Sequence, residues 1–203
     1  ATPRRCQEMA SLILNTEWTP APVAILWSQD SLRLDRNMAA FKSAIAWGHL
    51  LARTFFRYDY VTEATLAGRL PAATVLILPD TPCLSAEAAA AIRAWVEKGG
   101  VLLGFGAPAT RDEAGRPLPA PALADVFGAA VERLRVPGPV TPDRLETTHP
   151  EGSYQFGNLP PRPYKFEETL TAVLRPATAT PRAWFAGSAK DVAICENRFG
   201  AGR

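Results

Sequence analysis

The chain has 203 residues, enough for one α/β domain that buries roughly 70% of its unfolded surface, so no metal or disulfide is required to hold it together. Its net charge of +2 is spread without a basic block, which removes the electrostatic footprint of a nucleic-acid or membrane-surface binder. Three cysteines (Cys6, Cys83, Cys195) and two distant histidines (His49, His149) match no disulfide framework or zinc spacing, and no segment reaches the about 20 apolar residues of a membrane span.

In chain order, residues 4–17 carry Met9, Leu12 and Ile13 at helical spacing and run into the break TPAP. Residues 1–20 are expected to be a lead-in helix and linker from an upstream domain, and residues 21–203 the domain itself. Residues 23–27 read as a buried strand. The polar stretch SQDSLRLDRN after it is expected to be a loop at the strand's carboxyl end, the edge where ligands bind in open parallel sheets. Asn37 is expected to cap a helix over residues 38–56 with Phe41, Ile45, Leu50 and Leu51 on its apolar face. Its Gly48 costs about 1 kcal/mol relative to alanine, which packing must offset. Residues 58–61 read as a short strand and 63–70 as a short helix.

Residues 74–106 carry the clearest pattern. TVLIL is apolar on both faces, as a parallel strand covered by helices must be. Ser85 is a suitable N-cap with Glu87 in the first turn. Ala88, Ala91, Ile92, Trp95 and Val96 then form one helical stripe. Gly99 and Gly100 stop that helix and residues 101–104 form the next strand, parallel to the first through a right-handed crossover. The order β-α-β-α-β-α-β is that of a doubly wound α/β sheet.

Beyond Gly106 the pattern changes. Residues 107–121 are rich in proline and glycine and cannot be spanned by a helix. A turn or two of helix is expected over 122–127, closed by Gly128. Short strands are expected over 131–136, 170–174, 182–185 and 192–199, forming a mixed or antiparallel C-terminal extension of the sheet.

The run YDYVTEATLAGRLPAATVLILPDTPCLSAEAAAAIRAWVEKGGVLLGFGAPATRDEAGRPLPAPALADVFG, residues 58–128, carries a resemblance. LPD at 78–80, VEKGGVLL, DEAGRP and LADVFG follow in an order and spacing that resembles the β-galactosidase trimerisation domain. That is the class I glutamine-amidotransferase-like domain following the catalytic barrel in family 42 β-galactosidases. The likeness is good over residues 22–128 and weaker beyond. It implies a flavodoxin-like, mostly parallel sheet and an accessory, oligomerising role beside an upstream barrel that supplies the catalytic carboxylates. A homo-oligomer, trimeric by the resemblance, is implied, with no cofactor and with neither nucleic acid nor membrane as partner. RFGAGR at 198–203 resembles the turn before that family's last strand, so the chain is expected to stop short of that strand.

Catalytic amidotransferases of this fold carry a nucleophilic cysteine on the turn after the strand corresponding to residues 101–104. Here that turn is Gly106, Ala107 and Pro108, which offers no nucleophile, and Pro108 has no N–H for an oxyanion hole. A stand-alone hydrolase or amidotransferase-like enzyme would have to use Cys83, with His149 as its base, or the sheet-edge carboxylates Asp30 and Asp80. The simpler roles are an apolar plug for Cys83 and turn or cap roles for the aspartates. A sugar or small-molecule binding module would draw on the same edge and on Trp18, Trp47 or Trp184, since Trp27 and Trp95 fall on core patterns. Glu167 and Glu168 resemble glycosidase carboxylates by type only, and Arg111, Asp112 and Glu113 are expected to be solvated. The cysteines leave the compartment open, with a slight lean to the cytoplasm.

Overall fold

A computed structural model describes residues 19–34, 38–135, 144–145, 148–149, 152–153, 164–165, 171–184 and 190–203. The expected lead-in helix, Trp18, Asn37 and the Glu167–Glu168 pair lie outside these residues. Three apolar runs form β1 (Val23–Leu26), β3 (Val75–Leu78) and β4 (Val101–Gly104), and the mixed run YDYV forms β2 (Tyr58–Val61). They pair in parallel in the order β2-β1-β3-β4, with Val23 opposite Tyr58 and Val75, and Val75 opposite Val101. The alternating YDYV sequence of β2 suits its place at an edge, whereas β1 is buried along its whole length.

Alternation along the strands divides the core. Ala24, Leu26, Leu76 and Leu78 face α3 (Glu63–Arg69) and α4 (Ala86–Glu97), where Leu66, Leu84, Ile92 and Val96 complete the larger cluster. Val23, Ile25 and Ile77 face α2 (Ala39–Arg53) and pack on Ala44 and Leu51. Helix α4 begins as its sequence requires, the Ala88 N–H donating to Ser85 Oγ at 3.2 Å, and ends where Gly99 takes φ 117°. No helix among the described residues is long and apolar enough to cross a membrane.

Three expectations are corrected. The stretch after β1 is not a loop throughout: Gln29–Leu34 is a helix, α1, because Ser28 Oγ accepts the Ser31 N–H at 3.1 Å and Asp30 sits in the first turn. Helix α2 starts at Ala39 behind a left-handed Met38 and stops at Arg53. Its buried stripe is Ala40, Ala44, Gly48 and Leu51, which leaves Leu50 one position off the face and half exposed. The third correction concerns the C-terminal strands, which do not extend the parallel sheet. β5 (Ala129–Arg135), β10 (Thr171–Pro176), β11 (Thr180–Trp184) and β12 (Val192–Glu196) form a separate antiparallel sheet in the order β11-β12-β10-β5. Between them lie the two-residue pairings of β6 (Arg144–Leu145) with β9 (Tyr164–Lys165) and of β7 (Thr148–His149) with β8 (Gly152–Ser153).

The two four-stranded sheets meet at α5 (Ala124–Phe127) and Gly128, which caps α5 at φ 60°. The Gly128 carbonyl accepts the N–H groups of Ala177, Thr178 and Ala179 at 2.8, 3.0 and 3.0 Å. Asn197 Nδ2 donates to Val126 O at 2.9 Å, and Thr178 Oγ1 donates to Asn197 Oδ1 at 3.2 Å. A Cβ on Gly128 would run into Thr178 and Asn197, so only glycine permits this approach.

Candidate functional site

In an open parallel sheet the ligand crevice lies beyond the carboxyl ends of the strands where the strand order reverses, which here is between β1 and β3. Helix α1, residues 79–85 and the turn after β4 converge on it. Their polar groups are turned toward one another. Ser28 Oγ donates to Ser31 Oγ at 2.9 Å, Ser31 Oγ accepts the Cys83 N–H at 3.1 Å, and Ser31 Oγ lies 3.4 Å from Cys83 O as a donor. Ser28, Ser31, Thr81 and Cys83 are all buried. The crevice lined by Leu26, Trp27, Ser28, Leu32, Pro79 and Thr81 keeps no volume for a water molecule. Glu63 flanks it, one carboxylate oxygen accepting the Gln29 N–H at 3.3 Å and the other buried without a hydrogen-bond partner.

Cys83 is therefore a plug between β3 and the following helix, and burial pushes its thiol pKa up, against smaller lowering contributions from Ser31 and Arg111. A thiol in that state is a poor nucleophile. His149 belongs to the short β7–β8 pairing, its backbone opposite Gly152. Asp30 pairs with Arg33 one turn along α1. Asp80 is left-handed at φ 46°, and its carboxylate lies over Gly106. Asp30 and Asp80 are thus each engaged at the sheet edge. Among the described residues no three of His, Cys, Asp and Glu converge as a metal site would require.

The turn after β4 is sharp, and its residues Gly106, Ala107 and Pro108 carry no nucleophilic side chain. The Phe105 N–H donates to Leu78 O at 3.1 Å and Gly106 takes φ 67°, a sharp left-handed turn directly beyond the strand. The place a Cβ would occupy on Gly106 is filled by Asp80. The chain then enters no helix, so no row of helix N-terminal amides faces the turn. Pro108 packs on Gly104 instead, and Ala109, buried and left-handed, donates its N–H to Thr81 O at 2.8 Å.

Residues 109–122 are an ordered lid over this edge. Leu84 N–H donates to Arg111 O and Arg111 N–H to Pro82 O, at 3.1 and 2.9 Å, and the Leu118 N–H returns to Thr110 O at 2.9 Å. Asp112 is not merely solvated. Its Oδ1 accepts the N–H groups of Ala114 and Arg116 at 3.0 and 2.8 Å, and Arg116 Nε donates to Oδ2 at 2.7 Å. Those bonds, the Arg116 N–H first, hold its carboxyl below the ordinary aspartate value. Arg111 Nη1 closes the same turn on Gly115 O at 2.8 Å.

Trp27 and Trp47 are engaged as well. Trp27 meets Phe41 and Tyr60 edge-on at 5.5 and 5.3 Å, and Trp47 meets Phe105 at 4.8 Å. Sequence reasoning missed Ser28 and Ser31. The signal available was the serine pair three residues apart directly after a strand, a capping pattern.

No protein-family model matches the chain, and no curated protein matches it. Solved structures do. A β-galactosidase from Bacillus circulans sp. alkalophilus superposes with a TM-score of 0.81 at 17% identity, over 98% of this chain and 30% of that one. Gan42B, a GH42 β-galactosidase from G. stearothermophilus, gives 0.78 at 18% identity, over 98% and 28%. The exo-β-1,4-mannosidase Op5Man5 from Opitutaceae bacterium strain TAV5 gives 0.63 at 18%, over 98% and 32%. At such identities the likeness is one of fold. This chain has the fold of a segment of GH42 β-galactosidases and spans about three tenths of their length.

Proposed function

We propose that this chain is a non-catalytic accessory domain of a larger, β-galactosidase-like glycoside hydrolase, on an amidotransferase-like, flavodoxin-like plan. Its work is subunit association and support of the neighbouring active-site mouth, and the catalytic carboxylates sit on an upstream barrel. The observation that carries this reading is the turn after β4, where Gly106 is left-handed and Asp80 occupies the space in which a side chain at that position would stand. The superposition of nearly the whole chain on a segment of β-galactosidases supports the choice of parent enzyme.

The test has two arms. Residues 1–203 are assayed for hydrolysis of chromogenic β-galactosides, and the chain and its longer parent are sized by light scattering. The expected results are no turnover by the chain and an oligomeric parent. Turnover that disappears on Cys83→Ala would replace the accessory reading with a stand-alone enzyme, and a strictly monomeric parent would remove the association role.

A further inference from the structure

Helix α2 closes in a Schellman pattern: the Phe56 N–H donates to Leu51 O at 2.9 Å and the Phe55 N–H to Ala52 O at 3.2 Å. Phe55 thereby holds the left-handed position that glycine normally fills, at φ 60°. Strain of this kind persists where something else requires the residue, and nothing inside the chain does, since the ring is 95% exposed. Phe56 and Leu50 on the same corner are 60% and 50% exposed. Arg53 and Arg57, both exposed, flank the two rings in sequence. Aromatic rings with arginines beside them are the composition of a contact surface.

The size of the corner narrows what covers it. Two phenylalanine rings bury about 300 to 500 Å² when fully covered. That falls short of the about 800 Å² per partner on which two freely diffusing proteins associate stably, so a second copy held by this corner alone would not stay. A tethered partner needs less, because a flexible tether presents it at about millimolar effective concentration. The tether's attachment is here. Arg57 donates to the carbonyl of Thr19 and, at 3.4 Å, to that of Pro20, while Asp59 accepts the Ala21 N–H at 3.1 Å, which fixes the point where the chain enters the sheet one or two residues along from the rings.

We infer, resting on the accessory reading above, that Phe55 with Phe56 and Leu50 docks into an apolar recess on the upstream domain of the same polypeptide, one with a carboxylate on its rim for Arg53. The left-handed turn holds the Phe55 ring outward as the anchor of that contact.

The test is a photo-cross-link in the longer parent, carrying Phe55→p-benzoylphenylalanine, with the linked peptides mapped by mass spectrometry. The expected product is a single polypeptide whose residue 55 is joined to a peptide of the upstream domain. A link between two copies, a link confined to residues 1–203, or no link in a folded parent each overturns the inference. Phe55→Gly gives a second readout that needs no probe. In the 203-residue chain it only relieves the backbone and should raise Tm by about 2 to 4 °C, whereas in the parent it also deletes the anchor and should lower Tm. A rise in both proteins overturns the docking. A parent without an upstream catalytic domain removes the accessory reading itself, and that failure is read from its sequence and its activity on β-galactosides rather than from the cross-link.

Discussion

The two ends of the parallel sheet differ in kind. At the carboxyl end polar groups are abundant and, one buried Glu63 carboxylate oxygen apart, already bonded: Ser28, Ser31 and Cys83 satisfy one another, Asp80 covers Gly106, and the lid of residues 109–122 closes the edge. At the amino end and along β4 it is apolar side chains that are open, with Phe55, Phe56 and Leu103 all exposed. A site for chemistry needs polar groups with unused bonding capacity in a crevice. A contact surface needs the reverse, apolar area that water can reach. This molecule has closed the first and kept the second.

The strongest way to break that contrast is to place a nucleophile in the turn after β4. Gly106→Cys should cost about 2 to 5 kcal/mol, from the left-handed backbone and from the collision with Asp80, and should confer no hydrolysis. Denaturant unfolding with a chromogenic assay checks both; a stable, active variant would mean the edge is not sealed. Ser31→Ala comes next. It leaves the buried Cys83 N–H without its acceptor, at about 1 to 3 kcal/mol in denaturant unfolding, and, by removing the Ser31 contact that lowers the thiol pKa, should not make Cys83 more reactive toward maleimide.

Asp125→Asn should be smaller, under about 1 kcal/mol, since the Arg93–Asp125 pair is half exposed. The Arg93 hydrogen bond holds the Asp125 carboxyl below its ordinary 3.8, so this contribution is present above that value and is lost as pH falls through the folded-state pKa. The Tm difference between the two proteins should therefore shrink to nothing on acidification. Smallest of all, Leu103→Ser should change stability by less than about 0.5 kcal/mol, because Leu103 is already 38% exposed. If β4 is a contact surface, the same change should weaken assembly of the longer protein in sedimentation velocity.

The sequence made the βαβ unit legible, because its signals are local. Ser85 caps α4, Gly99 ends it, and the apolar runs on either side admit only buried strands. That Gly106, Ala107 and Pro108 carry no nucleophilic side chain is likewise read directly from the sequence. The sealing of the edge was not. It rests on Ser31 reaching Cys83 across 52 positions and on Asp80 lying over Gly106, contacts that no spacing rule contains. Leu50 was misplaced because several residues of α2 besides its buried face are apolar, so the pattern did not choose a side. The separation of the antiparallel sheet was hidden for a related reason: pairing partners are set by where α5 delivers the chain, not by the strands themselves.

Gly128 has a mechanical consequence. One carbonyl oxygen holds three N–H groups of the antiparallel sheet's turn, and Asn197 holds the end of α5 from the far side. Twisting one sheet against the other would break these hydrogen bonds together, at about 0.5 to 1.5 kcal/mol each. The joint behaves as a rivet rather than a hinge, and a load applied to either sheet is carried into the other before the chain between them can pay out.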